Sequence, residues 1–260
     1  MKSVSSKDGT KITYDQLGQG APVVLVSGGS VDKGSNASLA DELAKHFTVY
    51  NYDRRGRGES GDTQPYAVDR EIEDIEAVID SAGGKAYLYG SSSGAALALE
   101  AARKLSTKVT KLALWEPPYM PEGFPRPPAN TAQIFSDLVA QGKRGEAAEF
   151  FMAKVVGLPP EFVAGAKSSP WWPAQEAIAH TLAYDATVMG DYSLPESKVA
   201  DLKMPTIVLD GGASFPFMHI TADAIGSILK DKGTRKTLEG QQHNVDGAVL
   251  GAALTEFFNS

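Results

Sequence analysis

The pentapeptide Gly90-Ser91-Ser92-Ser93-Gly94 sets one serine midway between two glycines, after an apolar run and ahead of an alanine-rich stretch. A G-x-S-x-G pattern between a strand and a helix suits a sharply bent backbone that lifts its central hydroxyl clear of its neighbours. The flanking glycines let adjacent backbone approach where a Cβ would clash. The helix N-terminus beyond the serine presents unpaired N–H groups and the positive end of a dipole, which favour a developing oxyanion. The bland alternative is a serine-rich turn that only caps the helix. Ser91 and Ser93 are off-centre, so Ser92 is the candidate nucleophile and the Ser93 N–H a candidate oxyanion donor.

A serine nucleophile needs a base, and an imidazole titrates near neutrality. Of the four histidines, His243 lies in a loop opened by Gly240 after the last strand pattern, where a side chain reaches the carboxyl edge of a sheet. His46 is expected to complement the C-terminus of an early helix, and His180 to be structural or pocket-lining. His219 is placed at the border of a substrate pocket, with Phe215 beside it. Trp171-Trp172, between Pro170 and Pro173, is either a pocket wall or a packing anchor. Two carboxylates end strand patterns and stand as candidates to orient the imidazole: Glu116 in Leu114-Trp115-Glu116-Pro117-Pro118, and Asp210 after Pro205–Leu209.

Short β-branched runs alternating with helical periods are expected to position these residues on a parallel sheet covered by helices. The strand patterns fall at 11–17, 22–26, 48–52, 86–89, 109–115, 205–209 and 235–238. Helical patterns cover 38–47, 69–81, 95–105, 222–229 and 245–258. The character changes after Glu116, where Pro117, Pro118, Pro121, Pro125, Pro127 and Pro128 preclude a regular helix. From about 129 to 199 only helical patterns appear. Residues 1–116 and 201–260 are thus read as one sheet domain, and 117–200 as a helical lid inserted into it.

Composition narrows the chemistry. A chain of 260 residues with 42% hydrophobic and 22% charged residues is that of an ordinary globular protein. A net charge of -7 argues against nucleic-acid and anionic-membrane partners. With no cysteine there is no disulfide, thiolate metal site or thiol nucleophile. No signal-peptide pattern and no apolar stretch of membrane-spanning length occur, so a cytoplasmic protein is expected, without metal or other cofactor.

These motifs, in this order, resemble the α/β-hydrolase superfamily over nearly the whole chain. Val24-Leu25-Val26-Ser27-Gly28-Gly29 is similar to its strand followed by His-Gly, Asp53-Arg54-Arg55-Gly56-Arg57-Gly58-Glu59-Ser60 to its D-x-R-G-x-G-x-S loop, and Gly240-Gln241-Gln242-His243 to its histidine segment. The resemblance implies a mostly parallel eight-stranded sheet flanked by helices with a lid, and a second oxyanion donor at the Gly29 backbone. Asp53, Arg54, Arg55 and Arg57 are read as braces of their own loop. The family usually carries its acid just past the seventh strand, where this chain has Ser214. Members such as the lactonases of zearalenone carry it after the sixth, which favours Glu116 with Asp210 as the alternative.

The resemblance implies a cofactor-free serine hydrolase of a small carboxylic ester or lactone with an apolar or aromatic body. Carbon–carbon bond hydrolases and perhydrolases of the same fold are the alternatives within the class. A small-ligand receptor that retains the triad without turnover is the alternative outside it. Haloalkane dehalogenases and epoxide hydrolases are disfavoured, since they carry aspartate where Ser92 stands.

Overall fold

The structure is a computed structural model that describes all residues, 1–260. In chain order the sheet domain opens with β1 (Lys2–Ser5), β2 (Lys11–Leu17), β3 (Pro22–Val26), α1 (Ala37–Leu43), β4 (Thr48–Tyr52) and α2 (Val68–Ser81). It continues with β5 (Ala86–Ser91), α3 (Ser93–Lys104) and β6 (Val109–Trp115). Helices α4 (Thr131–Ala140), α5 (Arg144–Phe150), α6 (Pro160–Lys167), α7 (Trp172–Ile178), α8 (Leu182–Met189) and α9 (Glu196–Ala200) follow, with a π-helix (Phe151–Val156) continuing α5. The chain ends with β7 (Thr206–Gly211), α10 (Pro216–Leu229), β8 (Gly233–Leu238) and α11 (Gly247–Asn259).

The eight strands form one sheet in the order β1-β2-β4-β3-β5-β6-β7-β8. Strands β1 and β2 run antiparallel to their neighbours, and the remaining pairings are parallel. This is the α/β-hydrolase fold expected from the sequence, with β1 as the one strand not read there. The central strands are largely apolar because both faces are covered. On β3, Val24 and Val26 point to α2, α3 and α10, while Val23 and Leu25 point to α1 and α11. The same alternation sends Leu112 and Leu114 of β6 one way and Ala113 and Trp115 the other.

Between β6 and β7 the chain is helical, without a strand. Its first part has cores of its own, around Phe135, Ala147 and Leu182 and around Met152, Val163 and Trp172. Its last part does not: Met189, Tyr192 and Val199 belong to the main core with α3 and β6. The expected boundary at residue 200 therefore runs through packed side chains and is not a natural seam. No helix is long and apolar enough to cross a membrane.

Candidate active site

The carboxyl ends of the six parallel strands, β3 to β8, lie along one edge of the sheet, where folds of this kind hold their ligands. Strand β5 delivers Ser92 in a left-handed conformation, φ 56° and ψ -127°. Its side chain makes no capping bond to α3, so the hydroxyl is not consumed by the helix it precedes. Backbone packing explains the glycines. A Cβ on Gly94 would come within 2.3 Å of the Ser27 carbonyl oxygen, and one on Gly90 within 2.4 Å of the Gly94 oxygen. The bend is tied to the sheet by Ser92 N–H donating to the Trp115 carbonyl at 2.9 Å.

Glu116 follows β6 and is also left-handed, with φ 44°. Its N–H donates to the Leu209 carbonyl at 3.0 Å, extending the β6–β7 ladder by one bond. The turn buries the carboxylate almost completely. Oε1 accepts from the Gly211 N–H at 2.8 Å, and Oε2 accepts from Ser214 Oγ at 2.9 Å. Oε2 also lies 2.5 Å from Nδ1 of His243. A carboxylate accepts only, so Nδ1 carries the proton and Nε2 is left with its lone pair. The indole Nε1 of Trp115 donates to the His243 carbonyl at 2.9 Å and fixes the loop that carries the ring.

Asp210, at the end of β7, faces elsewhere. It meets Nδ1 of His219, lies 3.2 Å from a guanidinium nitrogen of Arg235, and accepts from Thr237 Oγ1 at 3.2 Å. The alternative assignment of Asp210 as partner of His243 is thereby corrected, because its lone pairs are already engaged on the far side of the strand end. The pocket role expected of His219 is corrected with it: the ring is bound to Asp210 and stands outside the cavity lining. His46 lies beyond the end of α1, exposed, rather than on its last turn.

Ser92, Ser93, Gly29 and His243 line one cavity that opens to solvent, together with Pro118, Met120, Phe151, Val155, Met189 and Phe215. The mostly apolar lining, with few polar groups, suits an apolar ligand body. Phe215 is where the sequence placed it. Trp172 is not: it is buried against Ala148, Met152, Val163 and Ala166, which makes it a packing anchor. On the other side of Ser92 a second recess is lined by Ser35, Asn36, Ser38 and Asn244. No group of three or more histidines and carboxylates is arranged to hold a metal ion.

The Asp53–Ser60 loop braces itself as expected, but it also reaches further. Asp53 accepts from Lys33 and from Glu59 N–H, and Arg55 is held by Asp74 and Asp8. Arg54 is forked onto Glu71 at 2.7 Å. Arg54 and Arg57 both grip Asp185 of α8, each at 2.8 Å, and Ser93 Oγ donates to the same carboxylate at 2.8 Å. Burial alone would raise the Asp185 pKa, but the charges of Arg57 and Arg54 outweigh it and hold the carboxyl below its ordinary value. Asp185 was missed in the sequence. Its signal is a lone acid in the apolar stretch Leu182-Ala183-Tyr184-Asp185-Ala186, which must find a cation when buried.

The chain belongs to the alpha/beta hydrolase family, whose sequence model matches residues 23–248. An alpha/beta hydrolase from Sphaerobacter thermophilus is 46% identical, with a TM-score of 0.92 over 99% of this chain and 100% of that one. An uncharacterized hydrolase of Bacillus subtilis, YraK, is 35% identical over 96 residues, and the match spans about a third (35%) of its length. A thermophilic esterase from Thermogutta terrifontis shares the fold, at 21% identity and a TM-score of 0.76 over 99% of this chain and 97% of that one.

Proposed function

We propose that the protein is a serine hydrolase of carboxylic esters or lactones, with Ser92 as nucleophile, His243 as general base and Glu116 as the acid that orients it. The observation carrying this reading is the 2.5 Å contact between His243 Nδ1 and Glu116 Oε2, beside the Ser92 elbow in one cavity. Glu116 fixes the tautomer that leaves Nε2 able to take the serine proton, and its charge stabilises the imidazolium that forms.

Ser92 Oγ attacks the substrate carbonyl while His243 removes its proton. The oxyanion is received by the N–H groups of Gly29 and Ser93, each donor contributing on the order of 10²–10³-fold in rate. Collapse expels the alcohol, which takes the proton from His243, and leaves an acyl group on Ser92. Water then gives its proton to His243 and its oxygen to the acyl carbon, and Ser92 regains its hydrogen. The helical segment between β6 and β7 covers the site, with Phe151, Val155 and Met189 on the apolar wall of the cavity. An apolar or aromatic body beside the ester carbonyl matches that wall.

Turnover of graded p-nitrophenyl esters and simple lactones, with fluorophosphonate labelling of Ser92, tests the reading. Ester or lactone hydrolysis that is lost in Ser92→Ala supports it. Tight ligand binding without turnover would favour the receptor alternative, and undiminished hydrolysis by Ser92→Ala would overturn the mechanism.

A further inference from the structure

The Gly28–Gly29 peptide carries one of the two N–H groups assigned above to the oxyanion, and neither residue has a side chain to fix its backbone. What fixes it is Arg57. Its Nη1 donates to the Gly28 carbonyl oxygen at 2.5 Å and to the Val31 carbonyl at 3.2 Å. The Gly28 carbonyl and the Gly29 N–H belong to one planar trans peptide unit and point in opposite directions. Tying the oxygen to Arg57 on one side therefore sets the direction of the N–H on the other.

Arg57 is in turn held by Asp185, whose Oδ2 accepts from Nη2 at 2.8 Å. The same carboxylate takes Ser93 Oγ, and Ser93 supplies the second N–H. It also packs against the glycine loop, since a Cβ on Gly29 would lie 3.2 Å from Asp185 Oδ2 and 3.3 Å from Ser93 Oγ. A bare carboxylate here would oppose a developing oxyanion. Two guanidiniums, Arg54 and Arg57, stand against two carboxylates, Asp185 and Glu71, so the cluster is electrically balanced. Asp185 lines the reaction cavity from α8, so one side chain joins the helical segment to both donors.

We propose that Arg57 and Asp185 are positioning residues that lock the Gly28–Gly29 peptide plane and the Ser93 backbone into an oxyanion site, which makes that site dependent on the docking of α8. The proposal rests on the serine-hydrolase reading and goes beyond it in naming what orients the donors. Helix α8 has other anchors, through the Tyr66–Tyr184 stack and the Tyr184 hydroxyl donating to Asp62 at 2.8 Å. Its docking thus does not depend on Asp185 alone.

The test compares Arg57→Met and the isosteric Asp185→Asn with the parent in p-nitrophenyl ester hydrolysis, and in inhibition by an aryl trifluoromethyl ketone, which mimics the tetrahedral adduct. Loss of one oriented donor predicts a fall in kcat of about 10²-fold, with KM within about threefold of the parent and a matching loss of ketone affinity. A merely structural role would lower the active fraction without weakening the ketone selectively. Folded variants with kcat within about threefold of the parent, or with the whole effect in KM, overturn the proposal. If either variant fails to fold, Ser93→Ala removes only the hydroxyl tie. It is expected to lose about fivefold in kcat at unchanged KM, and no loss would refute the coupling. A parent that neither labels at Ser92 nor turns over ester overturns the underlying reading and this proposal together. A labelled, active parent with unaffected variants overturns this proposal alone.

Discussion

At Glu116 and Asp210 the same chemical group is placed at neighbouring strand ends and put to different uses. Glu116 is turned by its left-handed backbone toward His243, whereas Asp210 is saturated by His219, Arg235 and Thr237. On the proposed function, Glu116→Ala should lower kcat by on the order of 10²–10⁴-fold. Asp210→Ala should spare kcat within about tenfold while lowering the thermal midpoint, because it leaves three half-buried partners without their acceptor. Steady-state kinetics beside thermal denaturation of the two variants would check this, and equal kcat losses would refute it. The candidate nucleophile and base were legible as residues because a glycine-flanked serine and a post-strand histidine need only local sequence to be seen. The pairing of Glu116 with His243 was favoured by the family resemblance and not by the spacing of the residues, since they lie far apart in the chain and are brought together by the order of β6, β7 and β8.

Among the elements, legibility followed burial. Strands β2, β3, β4 and β6 stand where the sequence placed them, and β3, covered on both faces, has no polar residue to blur its ends. Strand β1 is short and mostly exposed, so no periodicity marked it. Helix α10 begins at Pro216, six residues ahead of the expected 222, because proline suits the first turn of a helix. The π-helix from Phe151 gave no sign in the sequence, where it reads as a continuation of α5. The elbow is the element most exposed to a single substitution. Gly94→Ala would drive a Cβ against the Ser27 and Val26 carbonyl oxygens at 2.3 and 2.7 Å, an overpacking that typically costs about 1–3 kcal/mol. Its thermal midpoint should fall by several degrees. Gly165→Ala, in α6 with nothing within 4 Å, should hold or raise it. A Gly94→Ala protein melting with the parent would show that the loop can retreat at little cost.

For the molecule as a whole, buried charge sets the acid limit. Asp185 and Glu71 are fully buried, and in each the nearby guanidiniums outweigh burial and leave the pKa below the usual carboxylate value. At Asp8, burial is outweighed by hydrogen bonds from Thr10 and then Arg55, which hold it at about 2. A group whose folded pKa is depressed adds stability above its unfolded value, about 4 for carboxylates, and loses it as the pH falls through the folded one. Asp74 works the other way, since burial raises its pKa despite Arg55. With the depressed carboxylates, exposed Asp191 and Glu256 among them, outnumbering the one raised, stability should decline below about pH 4 and further toward about pH 2. The decline should be shallower in Asp185→Asn. Chemical denaturation followed by circular dichroism across that range checks it, and a flat profile would exclude it.

Ser92 sits at φ 56°, a conformation that costs a residue bearing a Cβ roughly 1–3 kcal/mol and glycine far less. On the proposed function, heat resistance and catalysis therefore pull this position in opposite directions. Ser92→Gly is expected to melt above the parent in a thermal scan while hydrolysing nothing. A library bred solely for survival at high temperature would drift toward that replacement, so any directed evolution of this scaffold has to score turnover in every round.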